Sequence, residues 1–263
     1  MLARLAVVIK GSTDSGVHYR QTDSTNENGK LAFVFPGQGS QYPGKMAAVS
    51  MGARELAPLL ASLPGVVLAN QNSPVQTVIS GPSAEVDTAL LLLRQHSIGA
   101  KEIATACAFH SPVVAGAEAA FADILSGISF GSTAWPVYAN VTAEPYSGSP
   151  EKMRELLSLH VVSPVRFIED IEQMYADGAR VFVEVGPKRV LAGCIRKILA
   201  GKPHTVITLD DGNSSNLGGL TSFLSALAAL AVRVPALDSS LLFKGRNAAV
   251  VNLAEARHMA RTA

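Results

Sequence analysis

Two short runs in this chain hold residue types that could do chemistry. The first is Gly37-Gln38-Gly39-Ser40-Gln41, just after the apolar run Leu31–Phe35 and Pro36. Glycines at a strand end let backbone amides turn outward, and such amides hold an anion or the oxyanion of a tetrahedral intermediate. It is not a P-loop, because no Gly-Lys-Ser/Thr follows. The second is Ala108-Phe109-His110-Ser111-Pro112. A histidine at the end of a strand sits where α/β folds collect chemistry, and a neutral imidazole takes a proton from a hydroxyl or thiol near pH 7. Alone, the first run is also read as a plain tight turn and the second as a half-buried structural histidine. A third stretch, Ser163 to Leu191, contains SPVRF, DGAR and FVEVGPKRVL. It reads mostly as scaffold, although its Gly186–Lys188 turn could offer a carbonyl to orient a histidine.

The elements that must position these runs follow from hydrophobic period and turn residues. Residues 1–10 read as a buried strand and 11–30, rich in Ser, Thr, Asp, Asn and Gly, as a linker. Over 46–109 the pattern gives strand 46–51, helix 53–62, strands 65–70 and 75–80 joined by a polar turn at Gln71–Pro74, a helix capped by Ser83, and strand 103–109. That order, β-α-β-β-α-β, is the ferredoxin-like pattern. Downstream the sequence predicts helix 114–125, strand 136–141, helices opened by Ser149-Pro150 and Ser163-Pro164, strand 180–185, helix 189–199, strand 205–209 and an Ala/Leu-rich helix 220–232. The expected fold is α/β with a small α+β unit inserted early.

Composition narrows the function classes. With 22 basic and 21 acidic residues the net charge is +1, so no basic surplus marks a nucleic-acid partner. A hydrophobic fraction of 48% excludes a disordered chain. The longest apolar stretches, such as Phe223–Val232, fall short of the roughly 20 residues a membrane helix needs, and no signal peptide is evident. Two cysteines, Cys107 and Cys194, make neither a disulfide framework nor a CxxC metal site. The expectation is a cytoplasmic protein with no membrane, nucleic acid or metal partner.

Taken in order, GQGSQ after an apolar strand, LANQNSPVQTVISG, AFHSP, PVYANVT and PVRF…DGARVFVEVGPKRVL resemble the acyltransferase domain family. That family includes malonyl-CoA:acyl-carrier-protein transacylases and the acyltransferase domains of polyketide and polyunsaturated fatty acid synthases. The resemblance runs over residues 31–210. It implies an α/β-hydrolase-like large subdomain from 31–45 and 110–234, with 46–109 as the ferredoxin-like small subdomain. Residues 1–30 would be the remnant of an upstream linker and 235–263 a C-terminal extension.

The resemblance implies acyl transfer from CoA to the phosphopantetheine thiol of an acyl carrier protein, through a serine acyl-enzyme, with no bound cofactor. His110 is the implied catalytic base and Gln38 the implied oxyanion-hole amide. Phe109 and Gly39 are implied to meet the substrate, Phe109 being the bulk that favours malonyl over a branched chain. The turn after Val185 supplies the carbonyl that orients His110. The implied partners are acyl-CoA, an acyl carrier protein and other synthase domains.

One part of the family pattern is missing. The signature Gly-His-Ser-x-Gly belongs between GQGSQ and the small unit, where this chain has only Tyr42-Pro43-Gly44-Lys45 before Met46. The downstream Arg that pairs with a malonyl carboxylate is absent with it. Gly127-Ile128-Ser129-Phe130-Gly131 spells GxSxG but follows a helix, whereas a nucleophile elbow needs strand, sharp turn, helix. Gly81-Pro82-Ser83 has a better local context, yet Ser83 reads as a helix cap. Acyl transfer is therefore expected to be impaired, and the alternative is a non-catalytic module that docks a carrier protein or scaffolds a synthase.

Overall fold

The computed structural model describes residues 10–12, 18–20, 29–35, 44–103, 108–131, 133–186, 188–210, 218–234, 237–238 and 240–245. The chain divides into two compact units, residues 26–223 and residues 1–25 with 224–263. The expected strand 1–10, the GQGSQ run with Gln38 and Gly39, and Cys107 lie outside the described residues, apart from Lys10.

In chain order the strands begin with β1 (Lys10–Ser12), β2 (His18–Arg20), β3 (Lys30–Val34) and β4 (Lys45–Val49). Helix α1 (Ala53–Leu59), β5 (Val67–Ser73), β6 (Gln76–Gly81), α2 (Ser83–Gln95) and β7 (Ala100–Glu102) follow. A 3-10 turn (Pro112–Val114) leads into α3 (Ala115–Ser126), then β8 (Tyr138–Ala139), β9 (Glu144–Pro145), α4 (Pro150–Leu159) and α5 (Phe167–Ala176). The last elements are β10 (Ala179–Glu184), α6 (Val190–Ile198), β11 (Thr205–Thr208), α7 (Gly218–Arg233) and a 3-10 turn (Ser240–Phe243).

Strands β4 to β7 make an antiparallel sheet in the order β5-β6-β4-β7, with α1 and α2 as its crossovers. On α2, Val86, Ala89 and Leu93 recur on one face and are buried against Val49, Leu56 and Ile79. The other face of the sheet presents Met46, Ala69 and Val78, packed by Ile103 and Phe109. Central β6 is covered on both sides, so every residue from Thr77 to Gly81 is buried.

A second sheet is parallel, in the order β11-β10-β3. Its middle strand β10 is the apolar run ARVFVE, buried as parallel strands are when helices cover them. Phe182, Val34, Ile171, Ile195 and Leu199 form the core between this sheet, α5 and α6. Each such fully buried side chain stabilises the fold by about 2–3 kcal/mol. Gly178, at φ +100, ends α5, and its carbonyl accepts from the amide of Lys30 at 2.6 Å, tying the start of β3 to the start of β10.

Several expected boundaries move. Gln71-Asn72-Ser73 is strand, not turn, because β5 pairs with β6 as far as Ser73↔Gln76 and the reversal is made by Pro74-Val75 alone. Ser163-Pro164 opens no helix. Val165 instead forms a parallel bridge with Asn70 of β5, and α5 starts at Phe167. Ser83 is the first residue of α2 and caps nothing; the cap position is Pro82. Of the strand expected at 103–109, residues 104–107 lie outside the described residues; the described strand β7 ends just before it at Glu102, and Phe109-His110 stand in a turn. The strand expected at 136–141 shortens to β8, because the chain turns back at Ala139–Ala143.

Candidate functional site

His110 lies in a turn built by its neighbours. The hydroxyl of buried Ser111 donates to the carbonyl of Ala108 at 2.6 Å, and the amide of Val114 donates to the carbonyl of Ser111. This closes the chain so tightly that His110 adopts φ +57, a left-handed conformation uncommon for any residue but glycine. Strain of this kind persists only where surrounding contacts enforce it.

Those contacts come from the turn after α4. The amide of His110 donates to the carbonyl of Val161 at 3.0 Å. Its Nδ1 lies 2.9 Å from the carbonyl oxygen of His160 and 3.0 Å from that of Ser163. A carbonyl only accepts, so Nδ1 carries the proton and Nε2 keeps its lone pair. Nε2 has no hydrogen-bond partner among the described residues. Burial pushes the imidazole below its usual pKa, against the two carbonyls, which pull it up. The result is a half-buried neutral imidazole with its basic nitrogen available, the form a general base requires.

The cradle is fixed in turn by β5. The amide of Val165 donates to the carbonyl of Ala69 at 2.7 Å and the amide of Gln71 to the carbonyl of Val165 at 3.1 Å. Among the described residues the carbonyls on Nδ1 belong to residues 160 and 163; Pro187, in the Gly186–Lys188 turn to which the resemblance points, lies outside the described residues. The end of β10 holds the start of α6. Glu184, fully buried, accepts from the amides of Leu191 at 3.0 Å and Ala192 at 2.9 Å, and so satisfies the first turn of α6.

Sequence reasoning passes over three further side chains, His160, Tyr146 and Asp170. Nε2 of His160 is hydrogen bonded to the hydroxyl of Tyr146 at 3.0 Å, and the two rings stack with an interplanar angle of 19°. Burial, and then the charge of His110, hold His160 below its usual pKa. On α5, Asp170 is 2% exposed and neither carboxylate oxygen has a hydrogen-bond partner among the described residues. Burial pushes its pKa up to about 6, against the pull of Arg166 and with a smaller push from Glu169.

Phe109 packs on Met46, Ala69 and Val78, with its ring centroid 6.3 Å from that of His110. Its bulk thus serves the sheet face beside the histidine. Gly44, at φ +137, lies close against this turn: an added Cβ would lie 2.4 Å from Cβ of Ala108 and 3.1 Å from the carbonyl oxygen of Gly81. The point in the chain where Gly-His-Ser-x-Gly is missing therefore lies against the residue two before His110. Of the alternative serines, Ser129 is exposed in coil after α3, whereas Ser83 does follow a strand and open a helix, and is also exposed. Among the described residues no group of three or more His, Cys, Asp or Glu is placed to hold a metal, and no helix is long and apolar enough to cross a membrane.

The model of the acyl transferase domain family matches residues 41–232. The chain is 37% identical over 145 residues to a polyunsaturated fatty acid synthase of Thraustochytrium sp., covering 54% of this chain and 5% of that protein. It is 33% identical over 133 residues to malonyl CoA-acyl carrier protein transacylase of Bacillus subtilis, covering 51% of this chain and 33% of the transacylase. Among solved structures, the malonyl CoA-acyl carrier protein transacylase of Clostridium perfringens superposes with a TM-score of 0.62 at 31% identity, over 74% of this chain and 60% of that one. The chain thus spans less than two thirds of each of these relatives. With the match covering most of its length, residues 41–232, the chain belongs to the acyl transferase domain family.

Proposed function

We propose that this chain is the histidine-bearing part of an acyltransferase domain that serves transfer of a malonyl or other short acyl group from CoA to the thiol of an acyl carrier protein, in fatty acid or polyketide synthesis. The observation that carries the reading is the imidazole of His110, held at Nδ1 by two carbonyls and without a partner at Nε2 among the described residues. In such a transfer Nε2 takes the proton of the attacking hydroxyl or thiol and returns it to the departing thiolate as the thioester C–S bond breaks. Gln38 would supply an oxyanion amide, and Gly39 and Phe109 would line the acyl chain.

In this reading residues 31–45 and 110–234 are an α/β-hydrolase-like large subdomain without its nucleophile block, and 46–109 are its ferredoxin-like small subdomain. The parallel sheet supports it: among the described strands β3 pairs on one side only, and Phe33 and Phe35 beside that edge are 53% and 68% exposed. A further strand with its helix would cover such an edge. Because the sequence holds no Gly-His-Ser-x-Gly, the chain by itself is expected to bind rather than turn over, as a module that docks a carrier protein. The cytoplasm, where Cys194 stays a buried free thiol, is the setting that fits.

Incubation with malonyl-CoA followed by intact-mass measurement should show no acyl adduct, and titration with phosphopantetheinylated carrier protein should show binding. A malonyl adduct on any serine overturns the claim that the nucleophile is missing. Absence of carrier-protein binding overturns the docking role.

A further inference from the structure

We infer that Tyr146 and His160 act as a positioning pair that sets the tautomer of His110. The inference rests on the reading of His110 as a base. Of the two carbonyls that hold Nδ1, the one on Ser163 is braced by backbone pairing of Val165 with β5. The other belongs to His160, the residue that ends α4, where the local backbone bond is long: its amide reaches the carbonyl of Leu157 at 3.3 Å. Helix ends leave their last carbonyls without intrahelical partners, and they fray.

Backbone bonds span the turn, the amide of Ser163 reaching the carbonyl of Leu159 at 2.9 Å, and a side chain adds a second brace at His160 itself. The His160 ring is tied through Nε2 to the Tyr146 hydroxyl and stacks on the Tyr146 ring at 6.2 Å. Tyr146 is anchored directly after β9, its amide donating to the carbonyl of Val137 at 2.7 Å. The line of contact therefore runs from β9 through two aromatic rings to a backbone oxygen, and from there to the proton on Nδ1 of His110. The pair also works electrically. A neutral His160 keeps a positive charge away from His110, so Nε2 of His110 stays basic; a protonated His160 would oppose the proton that a base must accept. The charge that faces the pair is Asp170 on α5, acting on Tyr146; around Asp170 lie Arg166, at the cap of α5, and Glu169, and Glu144 on β9 faces Arg166.

The full chain, labelled with 15N-histidine, tests this by long-range proton–nitrogen spectra that report which ring nitrogen carries the proton, with the His110 signals assigned from His110→Asn. In the wild type His110 should be the Nδ1–H tautomer. Tyr146→Phe keeps the ring and removes the hydroxyl. It should raise the Nε2–H tautomer of His110 about five-fold, the factor a single neutral hydrogen bond is worth. His160→Gln, whose amide reaches the same hydroxyl, should keep the wild-type tautomer, and His160→Leu should lose it. A purely structural pair would lower the melting temperature in all three variants and leave the tautomer unchanged, which overturns the inference. A wild-type His110 protonated at Nε2 instead overturns the base reading itself, whatever the variants do.

Discussion

Replacing Asp170 with Asn should raise the stability of the protein at about pH 7.5 and flatten its pH dependence between about 4 and 7. Asp170 is almost wholly buried and both carboxylate oxygens are without hydrogen-bond partners among the described residues. Its pKa rises from the ordinary 3.8 to about 6, first through burial and then through Glu169, with Arg166 pulling the other way. A folded pKa that is raised gives stability present in full below the unfolded value and lost as the pH climbs through the folded one. The shift corresponds to about 3 kcal/mol lost by neutral pH. The Asn amide inherits the unpartnered position, so the net gain should be nearer 1–2 kcal/mol, or a rise of about 2–8 °C in melting temperature.

His110 and His160 act in the opposite sense. Their pKa values are lowered, so they cost stability as the pH falls below the usual histidine range. The difference between wild type and D170N across the pH series isolates the carboxyl. Equal slopes for the two proteins between pH 5 and 7 would sink the prediction.

Glu184→Ala should be among the most damaging substitutions in the parallel-sheet core. Each carboxylate oxygen of Glu184 accepts one amide from the first turn of α6, and the side chain has no exposed surface. Alanine strands both amides, leaves a cavity and removes the negative charge that the helix N-terminus attracts. A loss of about 3–5 kcal/mol is expected, read as a fall in the denaturant midpoint. Glu184→Gln should sit between the two, since its amide oxygen serves one N–H while its NH2 group faces the other. A Gln variant as stable as wild type would refute the view that both oxygens are needed.

The reach of sequence reading is visible in particular residues. The spacing of Val86, Leu90 and Leu93 announces α2, and the element order of the antiparallel sheet follows from hydrophobic period and Pro/Gly punctuation. Gln71-Asn72-Ser73 misleads because polar residues suggest a turn, whereas long-range pairing with β6 and Val165 holds them extended. His110 can be found from its place before Ser-Pro. Its acceptors cannot, because backbone carbonyls some fifty residues away carry no residue-type signal. Asp170 left a trace that could have been followed: it lies three residues after Phe167 and four before Met174, on the stripe that α5 buries.

The left-handed backbone at position 110 bears on how the histidine should be removed. Histidine already carries a Cβ at φ +57, and alanine would keep that strain, of about 1 kcal/mol, while deleting the Nδ1 bonds that offset it. Any change in behaviour would then mix chemistry with conformation. Asparagine tolerates that region of backbone space and can still donate to the cradle carbonyls. Paired Asn and Ala variants at this one position would separate what the imidazole contributes from what the turn demands.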